Sequence, residues 1–292
     1  MRNVLVVLNA RAGVLLDRDP AEVRREVETA LRPGGGNVEV VLERGRGLVR
    51  AIERGAAGGY DTLVVGGGDG SVSCAADRLA GKPVALGVLP LGTLNLLARD
   101  LRMPTQLPEA LAALSGARPR AIDLASLNGR RFHSISGLGF FSQMARAREE
   151  ARDLPGRLLR LGAAALQAYF RTGNFTLEFD IDGRARRMDA YAALVTCNRF
   201  GGDDWRRDAL DGGILEIHIA EEEGTLGRLK AGADMLAGDW RSNKGIHSFS
   251  AQNVRIASAR RRAWVATDGE LRREQMPLNF GIEPRALTVL SP

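Results

Sequence analysis

The sequence is short of several residue types and runs, and each shortage narrows the class. Its 292 residues include only two cysteines, Cys74 and Cys197, far apart and in apolar surroundings. A disulfide framework and a cysteine zinc site are excluded, and buried reduced thiols in a cytosolic protein are expected. The three histidines, His133, His218 and His247, share no ligand spacing and read as structural or surface residues. Lysine occurs only at Lys82, Lys230 and Lys244, so the net charge of +6 is carried almost entirely by arginine. No apolar run approaches the roughly 18 residues that cross a bilayer, so any membrane contact is expected to be peripheral. The apolar start, Val4 to Leu8, is too short for a signal peptide and reads as a first buried strand. There is neither a Gly-Lys-Ser/Thr phosphate loop nor the Rossmann glycine spacing.

What is present is an ordinary globular composition, 45% hydrophobic and 26% charged, which excludes a disordered class. The arginine excess is open to two explanations. It can reflect genomic base composition, or it can provide a basic surface for phosphates, acidic lipid headgroups or nucleic acid.

The chain is organised around Val64-Val65-Gly66-Gly67-Gly68-Asp69-Gly70-Ser71. A buried apolar run ends in glycines, an acid and a hydroxyl, and small apolar residues at helical spacing follow. This reads as strand, tight loop and helix N-terminus. Glycine lets the backbone approach a ligand closely, and a helix N-terminus adds partial positive charge, so the corner suits a phosphate. Before it come a strand over 4–8, a small-residue turn at Asn9–Gly13, a helix opened by Asp19-Pro20, a strand over 38–42 and a helix over 48–57. After it come a helix over 71–79, a strand over 84–89, the turn Pro90-Leu91-Gly92-Thr93-Leu94-Asn95 and a helix over 94–101. This alternation predicts a doubly wound, mostly parallel α/β domain over residues 1–121, with the three turns gathered at the carboxyl ends of its strands.

The pattern then changes. Hairpins are expected about Asn128-Gly129 and Asp182-Gly183, a glycine-kinked corner at Gly137–Phe141, and helices over 154–171 and 226–236. Strands are expected over 214–220, 254–257, 263–266, 278–282 and 286–290. Residues 122–292 are therefore assigned to an antiparallel, sandwich-like β domain.

Three motifs together, Gly67-Gly68-Asp69-Gly70-Ser71, Pro90 to Arg99 and Asp268-Gly269-Glu270, resemble the diacylglycerol kinase catalytic-domain family, which includes bacterial lipid kinases and the sphingosine and ceramide kinases. The resemblance covers nearly the whole chain, and the closing strand Leu287 to Pro292 fits it. It implies an ATP-dependent lipid kinase that transfers the γ-phosphoryl group to a lipid hydroxyl such as that of diacylglycerol, with ATP and Mg2+ bound between the domains. It assigns nucleotide contacts to Asn9, Gly13, Gly67, Gly68, Asp69, Gly70, Ser71, Gly92, Thr93 and Asn95. Asp69 is a candidate magnesium ligand. Asp268 is assigned as general base, and Glu270 as a magnesium-orienting or acid/base partner. Asp208, Asp211 and the carbonyl of Gly213 resemble a second, structural metal site. Expected partners are a lipid substrate at a membrane surface and anionic headgroups. No nucleic acid is expected, and a homodimer is left open. The expected location is cytoplasmic and peripherally membrane-associated.

Four positions depart from the family pattern: Glu43 stands for Thr, Ala10 for Pro, Ser71 for Thr, and Leu96 for a polar residue. Glu43 and Leu96 favour a non-catalytic lipid- or nucleotide-binding protein with a decayed site. The Gly-Gly-Asp-Gly turn, shared with NAD kinases, keeps a NAD kinase-like enzyme as a further alternative. Arg260-Arg261-Arg262 and Arg272-Arg273 read either as solvated charge or as a docking surface for anionic headgroups.

Overall fold

The computed structural model describes residues 2–16, 18–32, 36–150, 175–181, 183–201, 206–221, 224 and 243–292. The helices expected over 154–171 and 226–236 lie outside them. The chain forms two compact units, Met1–Leu124 with Pro284–Pro292, and Ala125–Glu283.

The first unit alternates strand and helix: β1 (Asn3–Asn9), α1 (Pro20–Leu31), β2 (Asn37–Glu43), α2 (Arg46–Ala57), β3 (Thr62–Gly67), α3 (Asp69–Leu79), β4 (Ala85–Pro90), α4 (Leu96–Asp100), α5 (Leu107–Gly116) and the start of β5 (Arg118–Leu127). The strands pair in parallel in the order β2-β1-β3-β4. Every residue of β3 and β4 is buried, as is Val4–Leu8 of β1. Helices cover both faces of such a sheet, so its central strands read as unbroken apolar runs. Here α2 packs on α3, and α1 on α5. Asp19 caps α1 as its spacing predicts, accepting the Ala21 N–H at 3.1 Å with Pro20 in the first turn.

The second unit is antiparallel. After β5 come β6 (Arg130–Phe132), β7 (Ile135–Gly139), α6 (Phe140–Glu150), β8 (Phe175–Ile181), β9 (Arg184–Cys197), β10 (Leu215–Glu221), β11 (Ile246–Ala251), β12 (Asn253–Ala257), β13 (Arg262–Thr267), β14 (Glu270–Gln275) and β15 (Leu278–Ser291). The order runs β14-β13-β7-β9-β8-β12-β15, and β9 also pairs β10, which pairs β11. The first half of β9 pairs β8 and is largely exposed; the second half lies between β7 and β10 and is buried throughout. The core includes Phe132, Phe179, Phe280, Ile217 and Val195, with Phe132 and Phe280 edge-to-face at 6.3 Å.

Three expectations are corrected. The second arm of the hairpin expected about Asn128-Gly129 is short, because the chain breaks at His133-Ser134 after β6 and resumes as β7 beside new neighbours. The corner at Gly137–Phe141 leads directly into α6. Residues 278–290 form one strand rather than two, and Pro284–Pro292 returns to the first unit, where Val289 pairs Leu86 in parallel. The sequence boundary near residue 122 therefore missed the return of the last nine residues to the parallel sheet.

Asp61 ties β1 to β3. Its Oδ2 accepts the N–H groups of Arg2 and Asn3 at 2.8 and 3.0 Å, and its Oδ1 accepts the Thr62 hydroxyl at 2.8 Å. Burial pushes this carboxyl up, but the backbone and hydroxyl hydrogen bonds outweigh it and hold it below the usual carboxylate range. A carboxyl depressed by folding stabilises above its unfolded pKa and loses that contribution as pH falls through the folded one. Asp61→Asn is thus expected to lower stability at neutral pH by about 1 kcal/mol or less, given the exposure of the group. Thermal unfolding should show the gap closing as pH drops below the carboxylate range; a gap that persists in acid would assign the effect to geometry instead of charge.

Candidate functional site

In the first unit the loops after β1, β3 and β4 leave neighbouring parallel strands at their carboxyl ends. The register sets Leu8 beside Gly66 and Gly67 beside Pro90. The β3 and β4 loops then interlock. Leu91 N–H donates to the Gly67 carbonyl at 3.2 Å. Gly92 lies so close to Gly68 that a Cβ on Gly92 would collide with the Gly68 Cα and come within 2.9 Å of Asn95 Oδ1. A Cβ on Gly67 would meet Ser71 Oγ at 2.7 Å. Asn95, in the left-handed conformation at φ 52° and ψ 49°, closes its own loop: its Oδ1 accepts from Gly92 N–H and its Nδ2 donates to the Gly92 carbonyl, both at 2.9 Å.

Asp69 joins the two loops. Its Oδ2 accepts the Asn95 N–H at 3.1 Å and its Oδ1 the Leu96 N–H at 2.6 Å. Those N–H groups open α4, which no side chain of its own caps. Asp69 is thus the cap of α4, supplied from the adjacent loop, while it sits in the first turn of α3. The N-terminus of α3 carries no side-chain cap; Ser71 and Val72 donate to the Gly68 carbonyl. Gly68, Asp69 and Gly70 are half-buried, and Thr93 is exposed. Asn9 braces the corner from β1, donating through Nδ2 to Ser71 Oγ at 3.3 Å and accepting the Arg11 N–H at 3.0 Å. Gly13, exposed, opens a 3-10 turn, Gly13–Leu15, whose Leu15 is buried. An uncapped helix N-terminus beside glycine backbone binds anions through N–H groups and dipole.

The two departures that favoured a decayed site have local accounts. Leu96 offers its backbone N–H to Asp69 and buries its side chain, so a polar side chain is not required there. The Glu43 carboxylate lies against Gly47, in the first turn of α2, where a helix N-terminus favours an anion.

In the second unit Asp268 and Gly269 form the turn of the β13–β14 hairpin, with φ of 45° and 83°. Asp268 is only 1% exposed. Its carboxylate accepts three backbone N–H groups from the break after β6: His133 at 2.8 Å, Ser134 at 3.0 Å and Ile135 at 3.1 Å. Asp268 N–H donates in turn to the Ile135 carbonyl at 2.9 Å. Buried Arg207 takes the carbonyl side of the same break, donating to the His133 carbonyl and to the Cys197 carbonyl at 3.2 Å. The His133 ring is fully buried, its Nε2 3.4 Å from Asp268 Oδ2, and neither ring nitrogen has a hydrogen-bond partner among the described residues. Asp268 therefore holds the loop in this conformation. Glu270 is the reachable acid of the triplet, its side chain 44% exposed and 2.7 Å from Arg272. Sequence reasoning read His133 as structural or surface without its partner and missed Arg207, because their partners lie 135 and 74 positions away and no local pattern marks them.

Comparison with known proteins decides the family. The diacylglycerol kinase catalytic domain matches residues 3–127, and the YegS C-terminal NAD kinase beta sandwich-like domain matches residues 136–291. The chain belongs to the YegS-like lipid kinase family. A Pseudomonas aeruginosa relative named as a probable YegS-like lipid kinase is 31% identical over 99% of this chain and 94% of its own length. One from Yersinia pestis, named in the same way, is 32% identical over 84% of this chain and 73% of its own. A diacylglycerol kinase structure from Bacillus anthracis superposes with a TM-score of 0.75 at 17% identity, covering 100% of this chain and 97% of that one, which supports the fold.

Asp208 and Asp211 share one loop and both are exposed, and Asp208 Oδ2 lies 3.9 Å from Arg199 Nε. Among the described residues no three acidic, histidine or cysteine groups gather to hold a metal ion, near Gly213 or elsewhere. Asp69 is engaged on the backbone N–H groups of Asn95 and Leu96.

Two variants test this lipid kinase geometry. Gly92→Ala drives a methyl group into Gly68 and is expected to cost about 1–3 kcal/mol, read as a lower unfolding midpoint. Asp268→Asn leaves three buried N–H groups facing half their acceptor capacity and is expected to cost about 2–4 kcal/mol. An unchanged midpoint for Asp268→Asn would remove its positioning role.

Proposed function

We propose that this kinase transfers the γ-phosphoryl group of ATP to the hydroxyl of a membrane lipid such as diacylglycerol. The interlocked corner of Gly67–Ser71 and Gly92–Asn95, at an uncapped helix N-terminus, carries the reading. In the absence of a phosphate-loop lysine, its N–H groups and the Ser71 and Thr93 hydroxyls are suited to hold the triphosphate. Magnesium enters with the nucleotide, as part of the Mg-ATP substrate, and neutralises phosphate charge.

In the transfer the acceptor oxygen forms a bond to the γ-phosphorus, the bond to the β-phosphate oxygen breaks, and ADP leaves. The hydroxyl proton passes to a carboxylate late in a loose transition state. Glu270, the exposed acid of the triplet, suits that role, and Asp268 fixes the turn that carries it. A NAD kinase-like activity is disfavoured, because relatives matching nearly the whole chain are named lipid kinases.

The assay is transfer of label from γ-labelled ATP, with magnesium, to vesicles containing diacylglycerol, phosphatidylglycerol or a sphingoid base. A labelled lipid product is expected, and phosphorylation of NAD instead would overturn the reading. Glu270→Gln should lower kcat by about 100-fold or more while leaving the unfolding midpoint in place; full retained turnover would return the proton-accepting role to Asp268.

A further inference from the structure

The second unit contains a cavity of about 680 Å³ whose lining divides sharply by polarity. Its apolar wall includes Phe175, Leu177 and Trp264. Its rim carries four guanidinium groups, Arg260, Arg261, Arg262 and Arg273, all exposed. Arg272 does not share this rim. Neighbouring strand residues face opposite ways, and Arg272 is held by Glu270. Its four rim neighbours, in contrast, make no ion pair with any described residue. Trp264 is 42% exposed, one of only three large hydrophobic side chains in that state among the described residues. An unpaired cluster of one charge beside an open apolar cavity is costly to keep in isolation and is complementary to an anionic amphiphile.

The position in the hairpin separates this cavity from the acidic turn. Trp264 pairs Arg273, whereas Thr267 pairs Glu270, three residues further along. At about 3.3 Å per residue the two lie roughly 10 Å apart. We infer that the cavity docks the protein on an anionic bilayer by taking one phospholipid: the arginines bind its phosphate, and Trp264 and the apolar wall receive the upper part of an acyl chain. Tryptophan at a membrane interface and arginine near anionic headgroups have this partition of roles. The volume falls in the usual range for small-molecule sites, about 300–1,000 Å³. The docked lipid is an anchor, distinct from the acceptor at Glu270. Docking is independent of nucleotide, so it stands or falls apart from the transfer chemistry.

The test is co-sedimentation without nucleotide, using vesicles of phosphatidylcholine alone or mixed with phosphatidylglycerol. The wild-type protein should bind the mixed vesicles and be released by salt. R261Q/R262Q should weaken that binding about 25-fold, at roughly fivefold per arginine. R24Q/R25Q removes the same charge from exposed positions on α1 and should leave binding within about twofold. W264A should weaken binding at unchanged net charge, and the unfolding midpoint of each variant should match the wild type. Equal losses in both arginine pairs would reduce the effect to net charge and overturn the proposal. Full binding by R261Q/R262Q or by W264A would do the same. Release of the wild type by millimolar glycerol phosphate would show a site for free phosphate esters and also overturn it. Vesicle binding with no lipid phosphorylation would leave the docking site standing and sink only the kinase reading.

Discussion

A carboxylate that gathers backbone N–H groups where regular pairing stops is the interaction on which both units depend. Buried N–H groups without acceptors cost about 1–3 kcal/mol each, so a break in a strand inside a core needs a built-in acceptor. Asp268 supplies it for His133, Ser134 and Ile135, and Arg207 supplies the donor for the opposite face of the same peptide segment. The break then becomes useful. It releases β7 from the β5–β6 hairpin and lets it pair with β9 and β13. Asp69 does the same for the first turn of α4, and Asp123, fully buried, for the N–H of Arg285.

This explains why the most conspicuous acids in the sequence are not the most accessible ones. An acid whose oxygens are committed to main-chain donors is held rigidly, and so is whatever follows it in the chain. Asp268 fixes a two-residue turn, and Glu270 is the first residue after it. Asp69 fixes the Gly92–Asn95 loop against the α3 N-terminus. In each unit the aspartate sets the geometry of the turn or loop around it, and phosphoryl transfer is a chemistry in which positioning outweighs covalent chemistry.

Much of this was legible in the sequence. The parallel domain follows from apolar runs alternating with helical spacing and from the Asp19-Pro20 cap, and the Asn128-Gly129 turn follows from its dipeptide. What could not be read has physical causes. Alternation in β14, Glu-Leu-Arg-Arg-Glu-Gln, is masked by charge on an edge strand, and β11 mixes Ser and His with one Phe. β15 reads as two strands because Pro284 interrupts it, yet the structure keeps the strand continuous and lets Arg285, at φ 51°, pass its N–H to Asp123. The partners of Asp268 are more than 130 residues away, and a single sequence carries no signal for such a pair.

The same logic decides which departures from the family pattern matter. At the interlocked corner of the β3 and β4 loops the chain works largely through its backbone, so a position that supplies only an N–H tolerates any side chain the core accepts. Leu96 is of that kind, its donor bound to Asp69 and its side chain packed inside. Glu43 has another account, because its carboxylate lies against the first turn of α2, where a helix N-terminus favours an anion. The positions without such latitude are those whose side chain or lack of one shapes the main chain: Gly92, which must meet Gly68 without a Cβ, Asn95, which holds a left-handed turn, and Asp69, which joins the loops. All three are kept here.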